Sequence, residues 1–269
     1  MNKLLTLEGK QIFRSKEKRT LDFEGIPLTI TSKLKSNSLT PSCKKMLLVL
    51  MSGHVASGGT SCISVPIDDY MALRGLNNKD RAIKDIRKDL TFLYNASIGA
   101  KDSNGNSYDF RILQSKGVSK SKGIFQAQFT DDFCKLLNGY TKMYVPNSLL
   151  SLDTNVHRSS FELAIKMLTQ TQMNRGKKNE HVISVKALLR CSGLPSIEDV
   201  RSSNRAYKSR IIEPLIKELD AISELSYHFM RKNKSTVSKS NVKNLDIEDF
   251  ANLYVYFSFT DYPEQPYKE

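Results

Sequence analysis

The sequence predicts an α+β chain folded as two tandem domains built to one plan, on three observations. In each half, helical apolar spacing gives way to β-type alternation in the same order: helix, short strand, helix, helix, then paired extended runs. Short matches fall at the same points of that order. Ile63-Ser64-Val65 answers Ile183-Ser184-Val185, Leu73-Arg74-Gly75-Leu76 answers Leu189-Arg190-Cys191-Ser192-Gly193-Leu194, and Arg81-Ala82-Ile83-Lys84 answers Arg205-Ala206-Tyr207-Lys208. The 269 residues, 39% of them hydrophobic, are enough for two modest cores. The shared order is that of a winged helix, a helix-turn-helix core whose β-hairpin forms the wing.

The expected ranges are a basic N-terminal segment over 1–38, a first winged-helix domain over 39–138, a second over 139–261 and a tail over 262–269. Within the N-terminal segment, residues 26–34 read as a strand. Thr40 is placed to cap a helix with Pro41 at its first position, followed by Met46, Leu47, Val49 and Leu50, and that helix should end near Gly53, Gly58 and Gly59. SCISVP then reads as a strand and IDDYMALRGL as a helix. KDRAIKDIRKDLTFLYNAS is a longer helix with the stripe Ile83, Ile86, Leu90, Leu93 and Tyr94. SIGAKDSNGNSYDFRIL carries Asn104-Gly105 between two extended runs, the favoured dipeptide of a type I′ hairpin, and is taken as the wing. QSKGVSKSKG reads as a basic loop and GIFQAQFT as a further extended run.

In the second half FELAIKMLTQTQ gives the first helix, HVISV a strand, KALLRCSGL the second helix and NRAYKSRIIEPLIKELDAIS the third. LSYHFMRKN and NLYVYFSF are strands joined by the polar loop KNKSTVSKSNVKN. The third helix carries Ile211, Ile212, Leu215, Ile216, Leu219 and Ile222 at helical spacing, with Arg205, Lys208 and Arg210 mostly ahead of that stripe. Pro214 sits inside it, where it removes a hydrogen bond, so a kink is expected there, or a break with Pro214 opening a second short helix.

A net charge of +13 is the strongest global signal, since such an excess of Lys and Arg attracts polyanions, nucleic acid above all. An amphipathic helix with cations opposite a continuous apolar face, the mark of a membrane surface binder, is missing. No apolar run approaches the roughly eighteen residues of a membrane span, and MNKLLTLEGKQ lacks a signal-peptide core, so a soluble cytoplasmic protein is expected. Cys43, Cys62, Cys134 and Cys191 have no C-x-x-C pairing, which suggests neither a disulfide framework nor a zinc site; they read as reduced and mostly buried.

The third helix of each domain is the candidate DNA reader, its exposed front entering the major groove while its rear packs. Asn204, Arg205, Lys208, Ser209 and Arg210 supply the types that pair with base edges, Arg and Lys with guanine and Asn with adenine. In the first domain Arg81 and Lys84 hold the equivalent place, but Asp80, Asp85 and Asp89 are interleaved and would weaken contact with phosphate. The second domain is therefore expected to read bases and the first to touch backbone or another protein chain. Mixed charge on a helix is otherwise simply a solvated face. The wings add Lys116, Lys120 and Lys122 in the first domain and Arg231, Lys232 and Lys234 in the second. Both stretches lack acids, and basic wings hold phosphates and fix register without reading sequence.

Phosphate-binding, hydrolase and zincin motifs are missing, as is the His-x-His pair expected of a metal-dependent nickase. His54, His157, His181 and His228 are isolated, and Asp68-Asp69 and Asp131-Asp132 suit the first turns of helices. No enzyme, no cofactor and no metal are expected.

The chain resembles the plasmid replication initiator proteins that have two winged-helix domains and bind repeated origin sequences called iterons. The residues that carry the likeness are IDDYMALRGL and RAIKDIRKDLTFLYNASI in the first half, and VPNSLLSLDTNVHRSSFELAIKML, ISVKALLRCSGL and YKSRIIEPLIKELDAI in the second. The family often has a proline, apolar residues and a Glu in its last core helix, and residues 212–219 are similar. Asp220 departs from it, standing where Asn or a basic residue is usual. The likeness implies main sequence-specific contacts from the second domain, with dimerisation and auxiliary DNA contact from the first. It also implies monomers that initiate at iterons, dimers that repress the initiator's own promoter, recruitment of host proteins such as helicase, and a nucleoid- or plasmid-associated location. A winged-helix transcriptional repressor is the nearest alternative, and an origin-nicking enzyme a more distant one.

Overall fold

The computed structural model describes residues 4–6, 19–23, 26–30, 39–138, 142–195, 197–200 and 207–260. Asn204, Arg205, the C-terminal tail and most of the basic N-terminal segment lie outside them. The chain divides into two compact units between Val145 and Pro146.

In the first unit the described chain opens with strands β1 (Leu4–Thr6), β2 (Arg19–Phe23) and β3 (Ile26–Ile30), the last of these within the expected strand over 26–34. Helix α1 (Pro41–Ala56) follows, with Thr40 Oγ1 accepting from the Cys43 amide at 3.2 Å and Pro41 in the first turn. Cys43 to Met51 are buried on every side, as befits a helix at the centre of its domain. The helix ends at Ala56, among the glycines expected to stop it, with Gly53 inside its last turn. Gly53 lets α1 approach strand β4 (Cys62–Pro66) so closely that a Cβ there would stand 2.6 Å from Ile63 Cγ2.

Helix α2 (Ile67–Arg74) ends at Gly75 in the left-handed region, and helix α3 (Lys79–Asn95) starts at Asn78, whose side chain accepts from the Arg81 amide. Ile83, Ile86, Leu90 and Leu93 form the buried stripe of α3, and Asp89 joins them. The Asp89 carboxylate accepts from Ser42 Oγ at 2.6 Å and from the Cys43 thiol at 3.1 Å, tying α3 to the start of α1. Burial holds its pKa above the usual Asp range and pushes the Cys43 thiol up to about 12. Asp89 is thus a core ligand between helices, which corrects its reading as a surface acid facing phosphate.

The hairpin of β5 (Ser97–Lys101) and β6 (Ser107–Arg111) is present, but it extends the sheet β2-β3-β5-β6. The wing is the next pair, β7 (Leu113–Ser119) and β8 (Ile124–Phe129), in a sheet of order β4-β8-β7. The Asn104-Gly105 hairpin is therefore not the wing, while Lys116, Lys120 and Lys122 do lie in the β7–β8 hairpin. Ile112 and Leu113, both fully buried, carry the chain from one sheet to the next, and a register shift between Leu113 and Ser115 marks the change. Nor is the Asn104-Gly105 turn type I′, which needs positive φ at both central residues, since only Gly105 has it (φ 86°). Asp102 organises that loop instead, its Oδ1 accepting from the Asn104 and Asn106 amides. Helix α4 (Asp131–Asn138) and strand β9 (Lys142–Tyr144), which pairs with β1, complete the unit.

The second unit begins with a short α5 (Ser148–Ser151) and the central helix α6 (Ser160–Met173). Strand β10 (Val182–Ser184), helix α7 (Val185–Ser192), ended by left-handed Gly193, and α8 (Ile197–Val200) follow. The third helix is described from Tyr207: a π turn over Lys208–Ile212, then α9 (Glu213–Asp220). The second expected alternative holds: Pro214 falls in the first turn of the short helix α9, directly after the π turn, where its missing N–H is tolerated. Strand β11 (Leu225–Met230), β12 (Thr236–Val237), α10 (Lys239–Val242), α11 (Ile247–Ala251) and β13 (Tyr254–Phe259) close the unit. The stretch read as one polar loop therefore holds two short elements, β12 and α10, pinned by buried Val237 and Val242, and α11 follows it with Ile247 and Phe250 buried.

Its sheet runs β10-β13-β11-β12. Strand β10 pairs with β13 and β13 with β11, as β4 pairs with β8 and β8 with β7 in the first unit, so the repeat seen in sequence is a repeat of topology. Of the cysteines only Cys43 is buried; Cys62 is exposed and the others half-buried, fewer inside than expected.

One buried carboxylate fixes the third helix against α6. Glu218 Oε2 accepts from the amides of Ser159 and Ser160 at 3.0 and 2.8 Å and from Ser160 Oγ at 2.6 Å. It thereby caps the positive end of α6 from another helix. Glu218→Ala should lower unfolding stability by about 3 kcal/mol in denaturant titration, since it strands several buried donors, while Glu218→Gln should recover part of the loss.

Candidate nucleic-acid interface

The third helix of the second unit shows a sharp division between front and rear. Ile211, Ile212, Leu215 and Leu219 are fully buried, while Lys208, Ser209 and Arg210 are exposed. Tyr207, half-buried, donates its hydroxyl to the Leu245 carbonyl at 2.8 Å. Asp220, the residue that departs from the family pattern, holds the other end. It accepts from Tyr227 Oη at 2.7 Å and pairs with Lys239 Nζ at 2.5 Å, and Lys239 also lies 4.4 Å from the centre of the Tyr227 ring. Burial first, and then Asp220, hold the Tyr227 phenol protonated well above its usual range. Lys239, which the sequence placed in a basic wing loop, is therefore anchored to the helix it follows.

Arg231, Lys232 and Lys234 are exposed at the tip joining β11 to β12. The tip is tightly bonded: the Arg231 amide donates to the Ser235 carbonyl and the Lys234 amide to the Arg231 carbonyl, each at 2.9 Å. Asn233 Oδ1 accepts from both the amide and the hydroxyl of Ser235. Lys234 has φ 69° and is the only non-glycine with positive φ among the described residues. A lysine in the left-handed region costs about 1–2 kcal/mol that glycine would avoid.

In the first unit Arg81 and Lys84 are exposed on the front of α3, and Lys116, Lys120 and Lys122 on the wing. The wing lies along the helix. Lys116 Nζ donates to Thr91 Oγ1 and stands 5.7 Å from the Tyr94 ring centre, and Lys120 Nζ pairs with Asp80 at 3.5 Å. Wing and helix thus form one surface with Lys84 between the two ties, as the spacing of residues 80, 84, 87 and 91 along one helix face requires. Asp80 spends part of that surface's positive charge on itself. Lys79 is likewise held by Asp68, at 2.7 Å.

Among the described residues no three His, Cys, Asp or Glu side chains are grouped to hold a metal ion, and no helix is long and apolar enough to cross a membrane.

Residues 28–153 match the family described as Initiator Replication protein, WH1. Over that range, most of the first domain, the chain is similar to the WH1 domain of replication initiators. Solved structures agree on the fold. Domains 2 and 3 of RctB superpose with a TM-score of 0.52 at 16% identity, over 93% of this chain and 92% of that one. The Pi initiator protein, solved in complex with iteron DNA, gives 0.53 at 11% identity, over 83% of this chain and 92% of that one. Both domains therefore have the winged-helix fold. No curated protein matches the chain in sequence.

The structure describes eleven of the thirteen residues that the sequence singled out for DNA, all eleven exposed; Asn204 and Arg205 lie outside the described residues. It adds Tyr207, Glu218 and Asp220, whose hydrogen bonds position the third helix. Two tests follow from this geometry. Lys234→Gly should raise the melting temperature of the protein, by relief worth about 1 kcal/mol, and at the same time weaken its hold on duplex DNA. Asp80→Asn should free Lys120 and raise DNA affinity at low salt by up to about fivefold, a gain that fades as salt screens the pair.

Proposed function

We propose that this chain is a sequence-specific, double-stranded DNA-binding initiator of plasmid replication, in which the second domain reads bases and the first supplies dimerisation and auxiliary DNA contact. The observation that carries the reading is the division of the second domain's third helix: a front with Lys208 and Arg210 exposed on a rear that is wholly buried, in a chain whose first domain matches the initiator WH1 family. Long exposed cations on a helix fixed by its own core are suited to guanine O6 and N7 in the major groove. Arg231, Lys232 and Lys234 suit the phosphates alongside.

The complex of the Pi initiator with iteron DNA, which has the same fold, supports repeated origin sites as the target. The protein acts on this reading by binding and opening the origin, without chemistry or cofactor of its own, in the cytoplasm and on plasmid DNA. Dimers repress the initiator's own promoter, monomers engage the repeats, and host proteins such as helicase are recruited to the opened origin. Repression alone, without initiation, is the neighbouring reading.

Selection of bound duplexes from a random pool tests the proposal, followed by affinity against salt for the selected and a scrambled duplex. A motif held about a thousandfold tighter than the scrambled duplex is expected, recurring in tandem beside the gene next to an AT-rich segment. Neutralising Lys232 and Lys234 should make the log–log salt slope shallower by about 0.9 per lost phosphate contact. A motif found singly over the gene's own promoter would favour the repressor, and a specific metal-dependent nick in supercoiled origin DNA would favour a nickase. No enriched motif, with binding abolished by salt, would leave only a general polyanion binder.

A further inference from the structure

The π turn over Lys208–Ile212 sits where the proposed DNA-facing front of the third helix meets its packed rear. Its mark is the Glu213 amide, which closes on the Lys208 carbonyl five residues back rather than four. The turn therefore holds one residue more than an α turn, and everything ahead of it is rotated by about 100° relative to an uninterrupted α-helix.

That rotation decides which residues are exposed. The rear buries Leu219, then Leu215 and Ile216, then Ile211 and Ile212. Carried forward in α register, the same stripe would next take residue 208, three before 211, four before 212 and seven before 215. A lysine would then point into the core. In the π register Lys208 is exposed together with Ser209 and Arg210, and Tyr207, five residues before Ile212, turns inward with its hydroxyl on the Leu245 carbonyl.

Pro214 is placed to keep this register. An α turn here would call for an amide at residue 214 to close on the carbonyl of residue 210, and proline has none; its ring would also crowd that carbonyl. The widened turn avoids both faults. We infer that Pro214 is a positioning residue for DNA recognition: by excluding the α register it holds the π turn, and the π turn sets the rotational phase at which Lys208 and Arg210 meet the bases. This rests on the reading of the second domain as the base reader.

The experiment compares four single variants of the full chain, Pro214→Ala, Tyr207→Phe, Lys208→Ala and Arg210→Ala, on the selected duplex and on a scrambled duplex of equal length, with thermal unfolding of each. Pro214→Ala is expected to unfold at the parent temperature or above and to keep its hold on the scrambled duplex. It should lose about tenfold or more on the selected one, as a contact misplaced rather than removed would. In nitrogen-15 NMR, the amide that this variant creates should be protected from exchange by a new bond to residue 210. Tyr207→Phe, which loosens the inward anchor alone, should lose selectivity in the same direction and by less. If Pro214→Ala binds the selected duplex like the parent while Lys208→Ala and Arg210→Ala lose it, the positioning role is overturned and the base-reading role stands. An equal loss by Pro214→Ala on both duplexes overturns it as well. If Lys208→Ala and Arg210→Ala both bind like the parent, the base-reading role falls, and the inference with it.

Discussion

The second domain depends on a single buried carboxylate. Glu218 reaches from the third helix to the first amides of α6, satisfying donors that the helix cannot satisfy for itself and placing negative charge at the positive end of its dipole. The contact fixes the two helices against each other, because the acceptor is in the last turn of one helix and the donors are at the start of another. Slippage of either by one residue would leave a charge buried without a partner. The Asp220–Tyr227–Lys239 group then ties the same helix to β11 and α10. Whatever the front of the helix touches, it does so from a frame held on two sides.

The first domain solves the same problem with a different carboxylate. Asp89 lies on the equivalent helix and receives its bonds from the start of α1, with the Ser42 hydroxyl and the Cys43 thiol as donors. Its wing is bound to that helix through Lys116 and Lys120, whereas the described contacts of the second wing's tip are within the tip itself. Two copies of one topology thus differ in how their basic surfaces are held. One is drawn against its own helix and partly neutralised by Asp80, and the other stands out with its cations uncommitted.

Much of this architecture is legible in the sequence, because helix caps and apolar stripes are local signals. Thr40-Pro41 marks the start of α1, and Ile83, Ile86, Leu90 and Leu93 mark the buried side of α3. The first strand of the first domain's wing read as a loop for a physical reason: β7 contains Ser115, Gly117 and Ser119, poor strand formers that become a strand only because β8 pairs with them. Short α10 and α11 offer too few residues for a period to show. Asp89 was within reach, since it falls three after Ile86 and four before Leu93 on the buried stripe. The π turn was also written in the pattern, where the apolar spacing demands a buried residue at 208 and the sequence supplies a lysine. Glu218 was not legible, for nothing local says that a carboxylate on one helix will meet amides some sixty residues earlier in the chain.

The left-handed lysine at the second wing's tip has a consequence for the timing of order. The bonds of Arg231, Asn233 and Ser235 settle the backbone of that turn when the domain folds, so its conformational entropy is surrendered before any partner arrives. An anion that meets Lys234 has only side-chain rotamers left to restrict, not a loop to close. Encounter at this tip is therefore governed by diffusion and charge rather than by a wait for the right shape.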